Sequence, residues 1–400
     1  MDALSVYLHI PFCRTRCSYC DFFTCAGQEA AIPAYAAALC REAELWSQAA
    51  GRRLPVHSLY FGGGTPSLLP VEYLTQIIIP RRGILDTLSA AFDLAGDCEV
   101  SLEANPGTLS RQTLANLHSA GINRLSLGVQ SSDATILRLL GRQHTYPEVI
   151  EAVGMARVEG FNNLNLDLIY GVPTQTLAMW QRTLEDAILL NPEHLSLYSL
   201  TLEPGTRLHA WVGHGLVPAP DADLAADMYE WANERLTEAG YHRYEISNWA
   251  RRGKDGALLA CWHNLQYWRN LPYLGLGAGA HGYVGGYRLA NIAEIGSYIA
   301  RCAQPVEAQF PAGPATEHAT TIDKRTEMQE TMMVGLRLTE AGVGRQEFRE
   351  RFGVELDQVF APEITQLTRQ GLLEWVEDRL RLTQRGCLLG NQVFLHFVDG

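Results

Sequence analysis

Residues 5–20, SVYLHIPFCRTRCSYC, run a short strand pattern straight into three cysteines packed within eight positions. Cys13, Cys17 and Cys20 stand as C-x3-C-x2-C. Thiolates at that spacing can wrap a cuboidal [4Fe–4S] cluster, and three ligands leave one iron open to another molecule. Zinc sites usually take four protein ligands as two C-x2-C pairs, and the nine cysteines of this chain supply no partner pair. An odd cysteine count also suits metal ligation better than a disulfide framework. Cys25 is the candidate fourth ligand, which would close the cluster for electron transfer alone. It lies beyond Phe22 and Phe23, a pair expected to cover the loop.

Runs rich in leucine and β-branched residues recur at 5–10, 56–61, 99–103, 124–129, 163–169 and 194–200. Amphipathic stretches near 33–50, 71–79, 110–119, 147–159 and 176–190 lie between them. Such β/α alternation implies parallel strands. Six units fall short of the eight that close a barrel, so the spacing predicts an α/β fold, an open partial (β/α)6 barrel over about residues 1–210. A doubly wound sheet is the alternative. In both, chemistry gathers where strands end in loops. Cys13, the turn Gly62-Gly63-Gly64-Thr65-Pro66, the segment Glu103 to Pro106, Gln130-Ser131 and Tyr170 to Pro173 fall at those ends, and Asp167 lies inside the fifth strand.

Residues 211–303 read as an extension of the barrel, with a helix near 221–239 and an aromatic-rich segment over 241–290. Residues 304–316, rich in Pro, Gly and Ala, read as a linker. Helical patterns at 323–337, 344–352 and 357–370, then a strand pair at 373–376 and 380–383, give 317–400 the order of a winged-helix-like α+β region. Many such domains bind DNA, but 14 acids against 10 bases in this segment favour a structural or lid role.

The whole chain holds 44 acids against 32 Lys+Arg, a net charge of −12 that works against non-specific binding to nucleic acid or anionic membrane. Apolar residues at 47% and charged residues at 19% argue for a packed core and against long disorder. No apolar run approaches the roughly 18 residues that cross a bilayer, and the first residues lack the basic region of a signal peptide. A cytoplasmic location is expected.

With Tyr19 before its last cysteine and a Gly-Gly-Gly-Thr-Pro turn after the second strand, the loop resembles the signature of the radical S-adenosylmethionine (SAM) family. More narrowly, Tyr7-Leu-His9-Ile-Pro11-Phe12-Cys13, Glu103-Ala-Asn105-Pro106, Gly128-Val-Gln130-Ser131 and Leu140-Gly-Arg142-Gln-His144 are similar to the oxygen-independent coproporphyrinogen III oxidase group, and the similarity spans nearly the whole chain. The resemblance implies that SAM chelates the open iron and that an electron, from a reductant such as flavodoxin or ferredoxin, can cleave its sulfonium. It also implies SAM-binding positions at Tyr7, Tyr19, Gly64, Thr65, Glu103, Gln130, Arg142 and Asp167. Gly64 would let backbone groups approach the methionyl amine, Glu103 or Asp167 would accept from an ammonium or ribose hydroxyls, and Arg142 would pair a carboxylate.

Two departures count against coproporphyrinogen oxidation. Phe22 stands where the decarboxylating oxidases carry a further cysteine, and only twelve residues precede Cys13 where they carry a longer substrate-binding segment. A second motif points to another branch. Cys261-Trp-His263-Asn264-Leu-Gln-Tyr267-Trp268 contains H-N-x-x-Y-W, which resembles the heme chaperones of the HemW type. That resemblance implies heme as ligand and an acceptor protein to receive it, with a radical SAM enzyme acting on a porphyrin, or a methyltransferase, as the rival reading. Heme asks for an axial nitrogen or sulfur beside aromatic surface. His263 is the candidate ligand, Trp262, Tyr267 and Trp268 the packing surface, and Cys261 and His281 the fallback ligands. The alternative is that His263 and Asn264 anchor a turn while the aromatics fill core. Gly277-Ala-Gly279-Ala-His-Gly282 fits G-x-G-x-x-G, but no helix pattern follows, so close backbone packing is expected rather than a dinucleotide site.

Overall fold

The computed structural model describes residues 3–75, 83–304 and 310–398. The chain divides into two units, Met1–Ala232 with Pro272–Thr320 and Asn233–Leu271 with Thr321–Gly400. Part of the segment read above as a barrel extension, 233–271, therefore groups with the C-terminal residues.

In the larger unit, strands β1 (Leu4–Ile10), β2 (Pro55–Gly63), β3 (Asp93–Ala104), β4 (Arg124–Gln130), β5 (Leu164–Tyr170) and β6 (His194–Ser199) pair in parallel in chain order. On its other side β1 pairs with Tyr273–Leu276, beyond which lie His281–Val284, Tyr287–Asn291 and Thr316–Thr321. The sheet thus continues past β1 instead of closing onto β6, and the barrel is open.

The two faces differ in chemistry. Leu4, Val6, Leu8 and Ile10 of β1, Leu59 and Phe61 of β2, Leu125 and Leu127 of β4, and Leu164, Leu166 and Leu168 of β5 are buried apolar residues on alternate positions. The intervening positions carry Ser5, Tyr7 and His9, then Ser58 and Tyr60, Glu103, Ser126, Asn165 and Asp167, and His194 and Ser196, brought side by side by the register. A parallel sheet covered on both faces reads as continuous apolar runs. Here one face is polar, because it is the concave wall of the half-barrel.

Connecting helices include α1 (Ile32–Ala50), α2 (Ile84–Ala91), α3 (Arg111–Ser119), α4 (Ala134–Leu140), α5 (Tyr146–Val158) and α6 (Leu177–Leu189). Their starts are written locally. Ser110, Asp133 and Thr176 accept from the first free amides of α3, α4 and α6, and Thr145 with Glu148 forms a capping box on α5. The amphipathic stretch expected at 71–79 begins as a 3-10 turn, Val71–Tyr73, and its residues 76–79 lie outside the described residues. The short helices α2 and α4 were not foreseen; each has only two turns in which to show a period. Of the expected linker, 305–309 lie outside the described residues, Phe310 packs edge-on against Trp46 of α1, and Thr316 already belongs to a strand.

The segment 277–282 leads into the strand His281–Val284, so no dinucleotide-type helix follows its glycines. Its backbone closes on a buried carboxylate instead. Glu42 of α1 accepts from Gly277 N at 2.8 Å, Tyr298 Oη at 2.7 Å and Asn291 Nδ2 at 2.7 Å.

In the smaller unit, helices Lys324–Gly335, Arg345–Phe352 and Ala361–Arg369 accompany a three-stranded antiparallel sheet of Val343–Gly344, Arg379–Leu382 and Leu373–Val376. This is the winged-helix-like order. The hairpin His242–Glu245 and Asn248–Ala250 and the helix Trp262–Trp268 complete it, with Arg337 bridging Glu245 at 3.3 Å and lying 4.3 Å over the Trp268 ring. No described helix is long and apolar enough to cross a membrane.

Candidate functional site

The three-cysteine loop is held from three places in the chain. Gly64 N donates to Ile10 O and Thr65 N to Phe12 O, each at 2.8 Å. Ser18 N donates to Leu140 O at 3.0 Å and its hydroxyl to Leu139 O at 2.5 Å, at the end of α4. From beyond β6, Leu208 N donates to Ser18 O at 2.8 Å and the Arg207 guanidinium to Arg16 O. The first contact explains a glycine. A Cβ on Gly64 would stand 2.7 Å from Phe12 O and 2.8 Å from Pro11 C, closer than real Cβ atoms come. The chain itself, rather than a ligand's amine, requires the missing side chain there.

Cys13, Cys17 and Cys20 open onto one cleft of about 400 Å³, shared with Tyr19, Gly64, Thr65, Glu103, Gln130, Arg142 and Asp167. A hydrogen-bonded bracket ties two of the thiols together. Thr65 Oγ1 donates to Cys13 Sγ at 3.6 Å and accepts from Asn105 Nδ2 at 3.0 Å. Asn105 Oδ1 accepts from Arg142 Nη2 at 2.5 Å, and Arg142 Nη1 donates to Cys17 Sγ at 3.5 Å. Arg142 also donates to Gly128 O at 2.5 Å. Burial opposes its charge, but Tyr19, Cys17 and Asp167 outweigh that and hold its pKa above the ordinary value. Burial pushes the Cys13 and Cys20 thiols up, so they stay protonated until a metal takes the proton's place.

Across the cleft stand two carboxyls. Glu103 accepts from Tyr60 Oη at 2.9 Å and Gly63 N at 3.2 Å; burial and the nearby charge of Asp167 push it up to about 7. Asp167 accepts from Ser126 Oγ at 2.9 Å and Asn165 Nδ2 at 2.8 Å, and burial raises it too. Two carboxyls kept partly uncharged by burial are suited to an incoming ammonium or to hydroxyl donors. Gln130 enters the same cleft from a left-handed backbone position, φ 65°, a conformation rare for a side-chain-bearing residue and common at ligand sites.

Of the positions drawn from the resemblance, seven of eight line this cleft. Tyr7 stands behind the wall, its hydroxyl 3.0 Å from His9 Nδ1 and its ring stacked on Tyr60. Cys25 is outside the lining; its thiol donates to Pro11 O at 3.5 Å while Phe12 pairs with Cys25 in a two-residue ladder. Phe22 and Phe23 do not bury the loop: Phe22 is 64% exposed at the cleft mouth and Phe23 is 37% exposed. Asn105, at the centre of the bracket, and Ser126 and Asn165, which aim Asp167, were missed as site residues. Their signal was the polar alternation within otherwise leucine-rich strands.

His263 is 1% exposed in the helix Trp262–Trp268, with Nε2 2.8 Å from Tyr267 Oη one turn on. The rings meet edge to face at 4.8 Å. Cys261 is fully buried, whereas His281 is exposed in the larger unit. His263 is thus bonded within its own helix, and Trp262, Tyr267 and Trp268 beside it are half-buried.

A three-thiol loop at the carboxyl edge of an open parallel half-barrel, facing two carboxyls and a guanidinium, defines a protein of the radical SAM class. The family model of the radical SAM superfamily matches residues 7–187, and that of the HemN C-terminal domain matches 322–389. The chain is 38% identical to the heme chaperone HemW of Bacillus subtilis over 98% of this chain and 99% of that one, and 35% identical to HemW of Escherichia coli over 100% and 99%. A mitochondrial radical S-adenosyl methionine domain-containing protein 1 from Bos taurus is 35% identical over 99% of this chain and 87% of its own. Among solved structures, coproporphyrinogen III oxidase HemN of Escherichia coli superposes with a TM-score of 0.81 over 99% of this chain and 90% of that one, at 24% identity, a likeness of fold. The chain belongs to the HemW family of radical SAM proteins.

The residues present fit a [4Fe–4S] cluster with SAM. Among the described residues no three His, Cys, Asp or Glu donors gather as a single metal ion requires. A cube takes each thiolate on a different iron, and Cys13, Cys17 and Cys20 all line the one cleft. Thr65 and Arg142 already direct donors at sulfur, as cluster thiolates accept.

Proposed function

We propose that this protein binds heme and delivers it to acceptor proteins, with Cys13, Cys17 and Cys20 holding a [4Fe–4S] cluster whose open iron takes SAM. The observation that carries this reading is similarity to heme chaperones along the full chain, joined to a cleft whose donor set suits the cluster. When bound, cluster and SAM supply one-electron cleavage chemistry at a sulfonium. Thr65, Asn105 and Arg142 fix the thiols; Glu103 and Asp167 receive the ammonium and hydroxyl groups of SAM; Tyr19 and Gln130 wall the cleft. Tyr7 acts from behind through His9. All nine cysteines are free, which fits a reducing cytoplasm and a soluble electron donor such as flavodoxin or ferredoxin.

His263 is the proposed axial ligand to heme, and it serves only when Tyr267 releases Nε2. The test is an anaerobic heme titration with and without SAM, with a parallel incubation in coproporphyrinogen, SAM and reductant. A Soret band that transfers to an apo-acceptor, without protoporphyrinogen formation, is the expected result. Protoporphyrinogen formation would overturn the chaperone reading.

A further inference from the structure

His194 opens β6 at the amino edge of the sheet, the end away from the cysteine loop, and is fully buried. The parallel register sets it beside Asn165 of β5, with Ser126 of β4 on the other side of Asn165. Ser126 and Asp167 line the SAM cleft, whereas Asn165 and His194 lie outside that lining. A row of side chains nevertheless links the histidine to the cleft.

The hydrogens in this row have one consistent assignment. An amide presents donors on its nitrogen and lone pairs on its oxygen. Asn165 Nδ2 donates to Asp167 Oδ1 and to Ser126 Oγ, each at 2.8 Å. Its Oδ1 accepts from Ser196 Oγ at 3.1 Å and lies 2.6 Å from His194 Nδ1. The reversed amide would set an oxygen against the Asp167 carboxyl, so the orientation is fixed and Nδ1 of His194 must carry a hydrogen and donate. Ser126, having accepted from Asn165, turns its own hydrogen to Asp167 Oδ2 at 2.9 Å. Burial and the charge of Arg124 hold the pKa of His194 well below its ordinary value, which keeps the ring neutral while the bond to Asn165 selects its tautomer.

Each Asp167 oxygen thus takes a bond from beneath. An ionised carboxylate has about four lone-pair sites, so each oxygen keeps another for a donor arriving in the cleft. Removing the His194 hydrogen takes from Asn165 Oδ1 the shorter of these two contacts and frees the amide to turn, which unseats both oxygens together. We propose that His194 is a positioning residue for SAM, acting from the far edge of the sheet through Asn165 to aim Asp167. The groups it aims at are the hydroxyl or ammonium donors of SAM, so the proposal rests on the reading of the cleft given above.

The test measures SAM dissociation constants on full-length, cluster-loaded protein of matched iron content, from the change SAM makes in the paramagnetic spectrum of the reduced cluster. Donor placement separates positioning from packing. His194→Asn puts an N–H where Nδ1 stands, His194→Gln puts one where Nε2 stands, and His194→Phe keeps a ring without a donor. His194→Phe and His194→Gln should weaken SAM binding on the order of tenfold, and His194→Asn should stay within about threefold of wild type. Added to Asp167→Asn, His194→Phe should cost less than about twofold more, because the residue it acts through is already altered. Unchanged affinity in His194→Phe and His194→Gln, or losses that multiply in the double variant, would overturn the proposal. If His194→Phe does not fold, His194→Gln against His194→Asn decides, and equal affinities overturn it. Wild type that binds no SAM at full iron content would instead sink the cleft reading on which it rests.

Discussion

Asn105 and Arg142 meet at 2.5 Å, and through that contact the hydroxyl on Cys13 and the guanidinium on Cys17 become one unit. Replacing Asn105 with Ala removes an acceptor from Arg142 and a donor from Thr65 together. Each such loss beside a buried charge costs about 1–3 kcal/mol. The variant should melt earlier when metal-free and retain less iron after reconstitution and desalting than wild type. Equal iron retention would show that the bracket does not set the thiols.

Cys17→Ala should abolish the brown chromophore of anaerobically reconstituted protein, whereas Cys25→Ala should keep it, because the Cys25 thiol is turned onto Pro11 O. Added SAM should change the paramagnetic spectrum of the reduced cluster in both wild type and Cys25→Ala. A spectrum indifferent to SAM would mean a fourth protein ligand.

Glu103 titrates near 7 in the fold against an ordinary 4.5. Between those values the folded chain holds more protons than the unfolded one, so the stability it contributes at low pH is lost as pH rises through about 7. Glu103→Gln should flatten the pH dependence of the unfolding free energy of the metal-free protein between about pH 5.5 and about pH 8, by on the order of 1 kcal/mol. An unaltered pH slope would contradict the raised carboxyl.

How much of this was legible beforehand can be argued from particular residues. The thiol spacing, the six parallel strands and the loops at their ends are local patterns, and the structure places them together. Gly64 was read for a ligand, but its constraint comes from Phe12 and Pro11, a packing relation that spacing does not display. The role of Asn105 is invisible in its local motif, because its partners Thr65 and Arg142 lie 40 residues before it and 37 after. The burial of His263 against Tyr267 follows from helical i,i+4 geometry, and its inaccessibility from packing that sequence does not print.

Heme affinity offers a direct reading of that helix. His263→Ala should weaken the Soret band if the imidazole ligates iron, and Tyr267→Phe should strengthen it by freeing Nε2. Indifference of both variants would move the heme site elsewhere.

Above about pH 7, the value to which burial raises it, Glu42 faces three donors and offers them only acceptors. Glu42→Gln turns an amide toward at least one donor and should cost about 1–3 kcal/mol, seen as a lower denaturant midpoint at unchanged slope. A midpoint equal to wild type would remove the carboxylate from the account of the 277–298 packing.

The supports of the cysteine loop are spread along two hundred residues, since Ser18 is gripped by Leu139 and Leu140 and then by Leu208. During synthesis on the ribosome the sulfur ligands emerge among the first residues, yet their scaffold is finished only after the sixth strand has left the exit tunnel. A chain that stops short of Leu208 therefore lacks part of what holds the sulfur ligands in place.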